Sequence, residues 1–160
     1  RDTVIALTDN ELQGIVAYTH DMMFPSGAKE GNLYFELNNA LRVRELEARK
    51  KMMRTWGCYM HYTIGGLGKL PNFSGVVLRG VPGRSSLVRA YKFDLIVQWK
   101  AFVSSSSDMN AASTFLDDPA DGVIFRLTIK TGKVITKTSF FPQESEVLLM
   151  PGRRYRVTRG

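Results

Sequence analysis

A chain of 160 residues with 44% hydrophobic side chains carries enough apolar material for one compact domain and is short for two. Its formal charge of +7 suits an anionic partner, whether dinucleotide, nucleic acid or acidic membrane surface, without choosing among them. Cys58 is the only cysteine, which excludes a disulfide within the chain and a paired-cysteine metal or redox site; with His20 and His61 far apart, zinc has no support. No run approaches the roughly 18 apolar residues of a membrane span, and Arg1 to Thr8 lacks the apolar stretch of a signal peptide. With no initiating methionine, the chain reads as processed or excised from a longer protein. Lacking a disulfide and, within this stretch, a signal, it points to action in a cytosol.

In chain order, Leu12, Ile15 and Val16 predict an amphipathic helix capped by Asp9 and running to about Asp21. Pro25, Gly27 and Gly31 mark a loop. Leu33, Leu37, Leu41 and Leu46 predict a long helix, or two consecutive ones, from Asn32 to about Trp56, with Gly65, Gly66, Gly68 and Pro71 punctuating the exit. Beyond Pro71 the texture changes to short β-branched and aromatic runs. Strands are predicted at Gly75 to Val81, Phe93 to Val103, Gly122 to Lys130, Lys133 to Thr138, Glu146 to Met150 and Tyr155 to Thr158, with Thr131-Gly132 as a hairpin turn. A short helix over Ser107 to Leu116 interrupts them. Helices followed by strands make an α+β domain. The basic clusters Arg42 to Arg54 and Arg153 to Arg159 read as solvated faces.

Three short motifs carry chemistry. In Leu78-Arg79-Gly80-Val81 a guanidinium enters a strand otherwise made of Val and Leu; its planar fork suits a phosphate, and an edge arginine or a structural ion pair is the alternative. Phe102-Val103-Ser104-Ser105-Ser106 presents the hydroxyls of Ser104 and Ser106 on one side of a strand end, where they can orient a polar group or serve a turn. Phe141-Pro142-Gln143-Glu144-Ser145-Glu146-Val147 brings two carboxylates, pointing the same way, to the mouth of an apolar strand. Like charges so placed raise each other's pKa, which fits a functional pair; an exposed acidic edge is the alternative.

Taken in order, Arg79, the Ser104 to Ser106 run and Glu144/Glu146 resemble the Arg, Ser-x-Ser and Glu-x-Glu signature of arginine-type mono-ADP-ribosyltransferases, a family of bacterial toxins and vertebrate ecto-enzymes. Ala17-Tyr18-Thr19, then Tyr34 to Arg42, Trp99 to Ser104, Ala112 to Phe115 and Phe141 to Gly152 are similar to further family stretches in the family order. The resemblance implies a single catalytic domain over 1–160, helical to about 70 and β-rich from about 71. It implies an N-terminal helical cap followed by a split sandwich of two roughly perpendicular sheets, with NAD in the cleft between them. Arg79 would hold the NAD phosphates and the Gly80 backbone the nicotinamide amide. Ser104, with Ser106 beside it, would contact NAD and orient Glu146, which would stabilise the cationic ribose. Glu144 would position and deprotonate an acceptor arginine. Tyr34, Asn38 and Arg42 would contact the adenosine-phosphate half, and Phe140 or Phe141 the target protein. Ser105 stands where the family often has Thr, which keeps the hydroxyl.

The implied reaction is transfer of ADP-ribose from NAD to a protein side chain, an arginine because Glu144 is present, without need of a metal. Nicotinamide leaves as a neutral group from a cationic ring, so an anion near the sugar lowers the barrier directly. NAD glycohydrolysis, with water as acceptor, is the neighbouring alternative. A basic nucleic-acid-binding module is an alternative from another class, resting on charge alone and lacking a zinc-finger or aromatic RNA motif. The vertebrate extracellular members rely on disulfides, so this chain looks more like a toxin, effector or intracellular member.

Overall fold

The computed structural model describes residues 6–22, 29–108, 121–140 and 145–158. Helix α1 (Asp9–Thr19) is capped by Thr8 and not, as expected, by Asp9. The Thr8 hydroxyl accepts from the Glu11 amide at 3.3 Å while the Glu11 carboxylate accepts from the Thr8 amide at 2.8 Å, so the reciprocal box fixes the start one residue earlier. The helix ends at Thr19, short of Asp21, whose carboxylate is engaged by the Asn32 amide at 3.1 Å and the Tyr34 hydroxyl at 3.4 Å. The predicted helical stretch beyond Asn32 is two helices, α2 (Leu33–Arg42) and α3 (Leu46–Lys69). Glu45 separates them by accepting the amides of Glu47 and Ala48 at 2.8 and 2.6 Å, which starts α3 afresh.

Gly65, Gly66 and Gly68 do not end the helix at about Trp56; α3 runs through them to Lys69. Close approach explains the middle one. A Cβ on Gly66 would lie 2.9 Å from Glu11 Cβ, and one on Gly14 would lie 2.7 Å from Thr63 Oγ1, so both are glycines where α1 crosses α3. No helix among the described residues is long and apolar enough to cross a membrane.

The strands are β1 (Asn72–Pro82), β2 (Ile96–Trp99), β3 (Val103–Ser106), β4 (Gly122–Val134), β5 (Glu146–Leu149) and β6 (Arg153–Arg156), with a short helix α4 (Arg84–Ala90) after β1 that the sequence did not announce. All pairings are antiparallel. β1, β3, β5 and β4 close on themselves in that order, and β2 pairs with β6 as a separate ribbon. The run Phe93 to Val103 is not one strand, because the chain leaves the ribbon after Trp99 and enters the closed sheet at Val103, with buried Ala101 and Phe102 between. Thr131-Gly132 is not a hairpin either: β4 continues to Val134, and Lys133 pairs with both Asn72 and Leu148. Gly132 is small for packing, since a Cβ there would lie 2.6 Å from Ile129 Cδ1 and from Val147 Cγ1. Ile135 to Thr138, expected as strand, forms a turn closed by the Thr138 amide on the Ile135 carbonyl at 2.8 Å. The helix expected over Ser107 to Leu116 opens with a bend at Ser107-Asp108 and otherwise lies outside the described residues.

Two apolar clusters organise the molecule. Val77, Val103, Leu127, Ile129, Val147 and Leu149 fill the closed sheet, while Ile15, Tyr18, Leu37, Leu67, Phe102, Ile135 and Leu148 pack between the helices and that sheet. Alternation along β5 therefore sends Val147 and Leu149 inward and Leu148 toward the helices. Glu146, two residues from Leu148, is carried on the helix-facing side.

Candidate active site

Residues opposite one another in an antiparallel pair share a face. Ser104 faces Leu148 and Ser106 faces Glu146, so both hydroxyl-bearing residues and the carboxylate lie on one side of β3–β5. β1 pairs its Leu78 with Ser106 on the other edge of β3. From the next position Arg79 Nη1 donates to the Ser104 carbonyl at 2.6 Å. Glu146 is 6% exposed. Immediately before it, Ser145 has φ 47°, a left-handed conformation that costs a non-glycine residue energy and turns the chain into β5.

Tyr18 completes the group from the helical side. Its hydroxyl accepts from the Asn38 side-chain amide at 2.9 Å. Burial pushes the phenol pKa well up; the Glu146 carboxylate pushes in the same direction, and Asn38, Arg79 and Ser104 oppose it. Arg79 is drawn below the usual guanidinium value, first by burial and also by Arg42, against the pull of Tyr18, Tyr91 and Glu146. Arginine nonetheless stays charged near neutrality. A guanidinium, a carboxylate and a phenol, on three elements far apart in sequence, thus act on one another at the end of β3.

Arg79 also lines a cleft of about 390 Å³, within the range of small-molecule sites. Arg42, Arg44 and Lys100 supply three more cations, and no acid lines it among the described residues. Its aromatic wall is built from Tyr91, Trp99, Phe102 and Phe125. Tyr91 accepts from the Trp99 indole at 2.7 Å and packs on Phe125 at 4.8 Å, so this wall is cross-braced. The arrangement can hold a diphosphate by charge and flat rings by stacking.

The sequence-predicted residues divide between these two places. Arg79, Ser104, Ser106 and Glu146 come together, and Gly80 lies buried beside Arg79, paired with Ile124. Arg42 reaches the cleft wall. Asn38 does not: it is buried, its amide donates to Tyr18, and its oxygen accepts from the Phe102 amide at 3.0 Å, so it joins α1 and α2 to the start of β3. Tyr34 likewise stays off the cleft wall, its hydroxyl directed to Asp21. Phe140 is 53% exposed and stacks edge-on with His20 at 4.8 Å. Phe141 and Glu144 lie outside the described residues. Sequence reasoning gave no role to Tyr18, Tyr91, Phe125, Arg44 or Lys100. Tyr18 stood in a quoted motif, but as an aromatic on an apolar helix face it could not be told from core.

Residues 4–160 match the model of the family described as NAD:arginine ADP-ribosyltransferase. The chain is 28% identical over 124 residues to Mav of Mycobacterium avium (strain 104), which bears an NAD(+)--arginine ADP-ribosyltransferase name, covering 78% of this chain and 14% of that protein. It is 33% identical over 137 residues to human Ecto-ADP-ribosyltransferase 5, covering 79% of this chain and 44% of that one. The chain therefore spans less than half the length of either relative. Among solved structures, the ADP-ribosyltransferase Vis in complex with agmatine superposes with a TM-score of 0.73 at 22% identity, over 96% of this chain and 68% of that one. The eukaryotic mono-ADP-ribosyltransferase ART2.2 gives 0.72 at 23%, over 100% and 64%. These likenesses show the α+β fold, helices followed by antiparallel sheets.

Proposed function

We propose that this chain, which belongs to the NAD:arginine ADP-ribosyltransferase family, transfers ADP-ribose from NAD to an arginine side chain of a protein and releases nicotinamide. The observation that carries the reading is Arg79 bonded to the Ser104 carbonyl, with Glu146 buried on the face of β3–β5 that bears the Ser104 and Ser106 side chains, and Arg79 lining a cleft of cations and aromatic rings. The finer architecture fits too: the closed sheet and the β2–β6 ribbon form the two halves of a split sandwich, α1 to α3 cap it, and the whole chain is one catalytic unit.

In this reading the NAD diphosphate sits against Arg79 and Arg42, whose fixed positive charge needs no reorganisation when the anion arrives. Gly80, next to Arg79, is the backbone partner of the nicotinamide amide in this reading. Ser104 and Ser106 border the ribose. The C1′–N bond breaks with its electron pair going to nicotinamide, whose ring loses its positive charge as the ribose gains one. Glu146, almost desolvated, stabilises that oxocarbenium charge, and the low local dielectric strengthens the attraction. An acceptor guanidinium nitrogen then attacks C1′, and its proton passes to Glu144, which holds the acceptor while Phe140 or Phe141 packs on the target. Agmatine, a guanidinium amine held by the structural neighbour Vis, is the natural minimal acceptor.

Glycohydrolysis differs only in the acceptor, so Glu144 separates the two readings. Glu144→Gln is expected to abolish ADP-ribosyl-agmatine formation while part of the nicotinamide release persists, measured by chromatography of both products. Equal loss of both would overturn the assignment of Glu144. A basic nucleic-acid module predicts salt-sensitive binding to random DNA and no calorimetric signal with NAD.

A further inference from the structure

We propose that Thr19 and His20 are positioning residues for the acceptor, holding Phe140 at the rim of the site while the residue before them, Tyr18, serves the NAD side. The inference rests on the reading above, in which Phe140 meets the acceptor. Three successive residues at the end of α1 reach two places. Tyr18 turns inward to Asn38, Arg79, Ser104 and Glu146. The buried Thr19 hydroxyl donates to the Val16 carbonyl at 2.9 Å and accepts the Phe140 amide at 3.2 Å, a contact spanning 121 residues of chain. His20, exposed, sets its ring against Phe140 with centroids 4.8 Å apart and planes at 75°.

Phe140 follows a turn, not a strand, so no ladder of sheet hydrogen bonds dictates its position. It also leaves over half of a large apolar ring in water. Exposing such a ring is unfavourable, and the expense is recovered when the ring packs on a ligand; a guanidinium is the cation best suited to an aromatic face. Backbone capture by Thr19 and ring contact by His20 fix where that ring stands. Since Tyr18 is one peptide away in the same helical turn, the spacing between the ribose-stabilising acid and the acceptor rim is set by a single rigid element.

The test measures agmatine ADP-ribosylation and, in separate reactions without acceptor, nicotinamide release from NAD. Thr19→Val keeps the shape of the side chain and removes both hydrogen bonds; His20→Ala removes the ring. Each is expected to raise KM for agmatine about fivefold, the size of one lost hydrogen bond or ring contact. KM for NAD and acceptor-free nicotinamide release should stay at the wild-type level. Thr19→Ser and His20→Phe should restore the agmatine KM. An unchanged agmatine KM in both Thr19→Val and His20→Ala overturns the proposal, and so does a parallel decline of transfer and nicotinamide release, which would mean general loosening. Should the buried Thr19 variant fail to fold, the exposed His20 pair decides alone. A wild-type protein that releases nicotinamide but never modifies agmatine would instead sink the arginine reading, and with it this one.

Discussion

Glu146 occupies a position where a carboxylate is costly: nearly out of water, one residue past a left-handed Ser145, and on a strand whose other side chains are buried Val and Leu. Such expense is retained where the charge has work to perform. Glu146→Gln keeps the shape and the hydrogen-bonding capacity while removing the charge. Nicotinamide release is expected to fall by about 10²- to 10³-fold, the scale of losing one preorganised electrostatic group, with NAD affinity by calorimetry retained. A variant that still releases nicotinamide at the wild-type rate would refute the electrostatic role. At this scale Arg79, Ser104 and Glu146 each break the pattern of their surroundings, a cation in a Val-Leu strand, hydroxyls at a strand end and an acid opening a core strand, but each pattern alone left an edge, turn or ion-pair reading open, and it was their order, resembling the family signature, that joined them. Asn38, which the resemblance assigns to the adenosine-phosphate half of NAD, has both ends of its side-chain amide bonded within the protein, a pairing that no local pattern encodes.

Glycine carries the lesson among the elements. Glycine reads as punctuation in a sequence, yet Gly14, Gly66 and Gly132 lie inside elements at points of close approach. Gly14 and Gly68 give a paired test. At Gly14 an added methyl meets Thr63 Oγ1 at 2.7 Å and the Thr63 backbone at 3.2 and 3.3 Å, whereas at Gly68 nothing lies within 4 Å. Replacing helical glycine by alanine stabilises by up to about 1 kcal/mol where space is free, so Gly68→Ala should raise stability. Overpacking costs about 1–3 kcal/mol and should exceed that gain at Gly14, so Gly14→Ala should lower it. Urea unfolding of both variants checks the pair, and a stabilised Gly14→Ala would refute the tight crossing. The same crossing explains why the end of α3 was misplaced: local propensity argues for a break at Gly65 and Gly66, but burial against α1 outweighs it.

Across the molecule, the helical layer is bonded to itself and to the sheet by polar groups that are partly or fully buried. The Tyr59 hydroxyl donates to the Gly14 carbonyl at 2.6 Å, and buried Lys133 donates to the Leu70 carbonyl at 2.7 Å, tying β4 to the end of α3. Burial pushes the Tyr59 phenol up to about 12 from an ordinary value of 10.0, and Tyr18 moves the same way. A folded-state value above the unfolded one means the contribution to stability is complete below pH 10 and declines as pH rises from 10 toward 12. Lys133, lowered first by burial and then by Arg153, works in the opposite sense, since its unfavourable charge is lost by deprotonation as pH rises toward 10.5. Tyr34 and Tyr155 are raised by burial as well, so four tyrosines against one lysine predict a net fall in urea-unfolding free energy above pH 10, shallower in Tyr59→Phe. An identical slope in Tyr59→Phe would remove Tyr59 from the account.

The sequence by itself determined the passage from a helical first half to a strand-rich second half, the cationic balance and the residue types that chemistry on a dinucleotide requires. These follow from side-chain identity and local period, which are properties of short windows. Tertiary structure alone decided that Tyr18 faces Arg79 and Glu146, that Trp99, Tyr91 and Phe125 form one wall, and that Thr19 captures Phe140. Each of those joins segments tens of residues apart, and no local pattern encodes a contact whose partner is fixed only when the helices and sheets pack together.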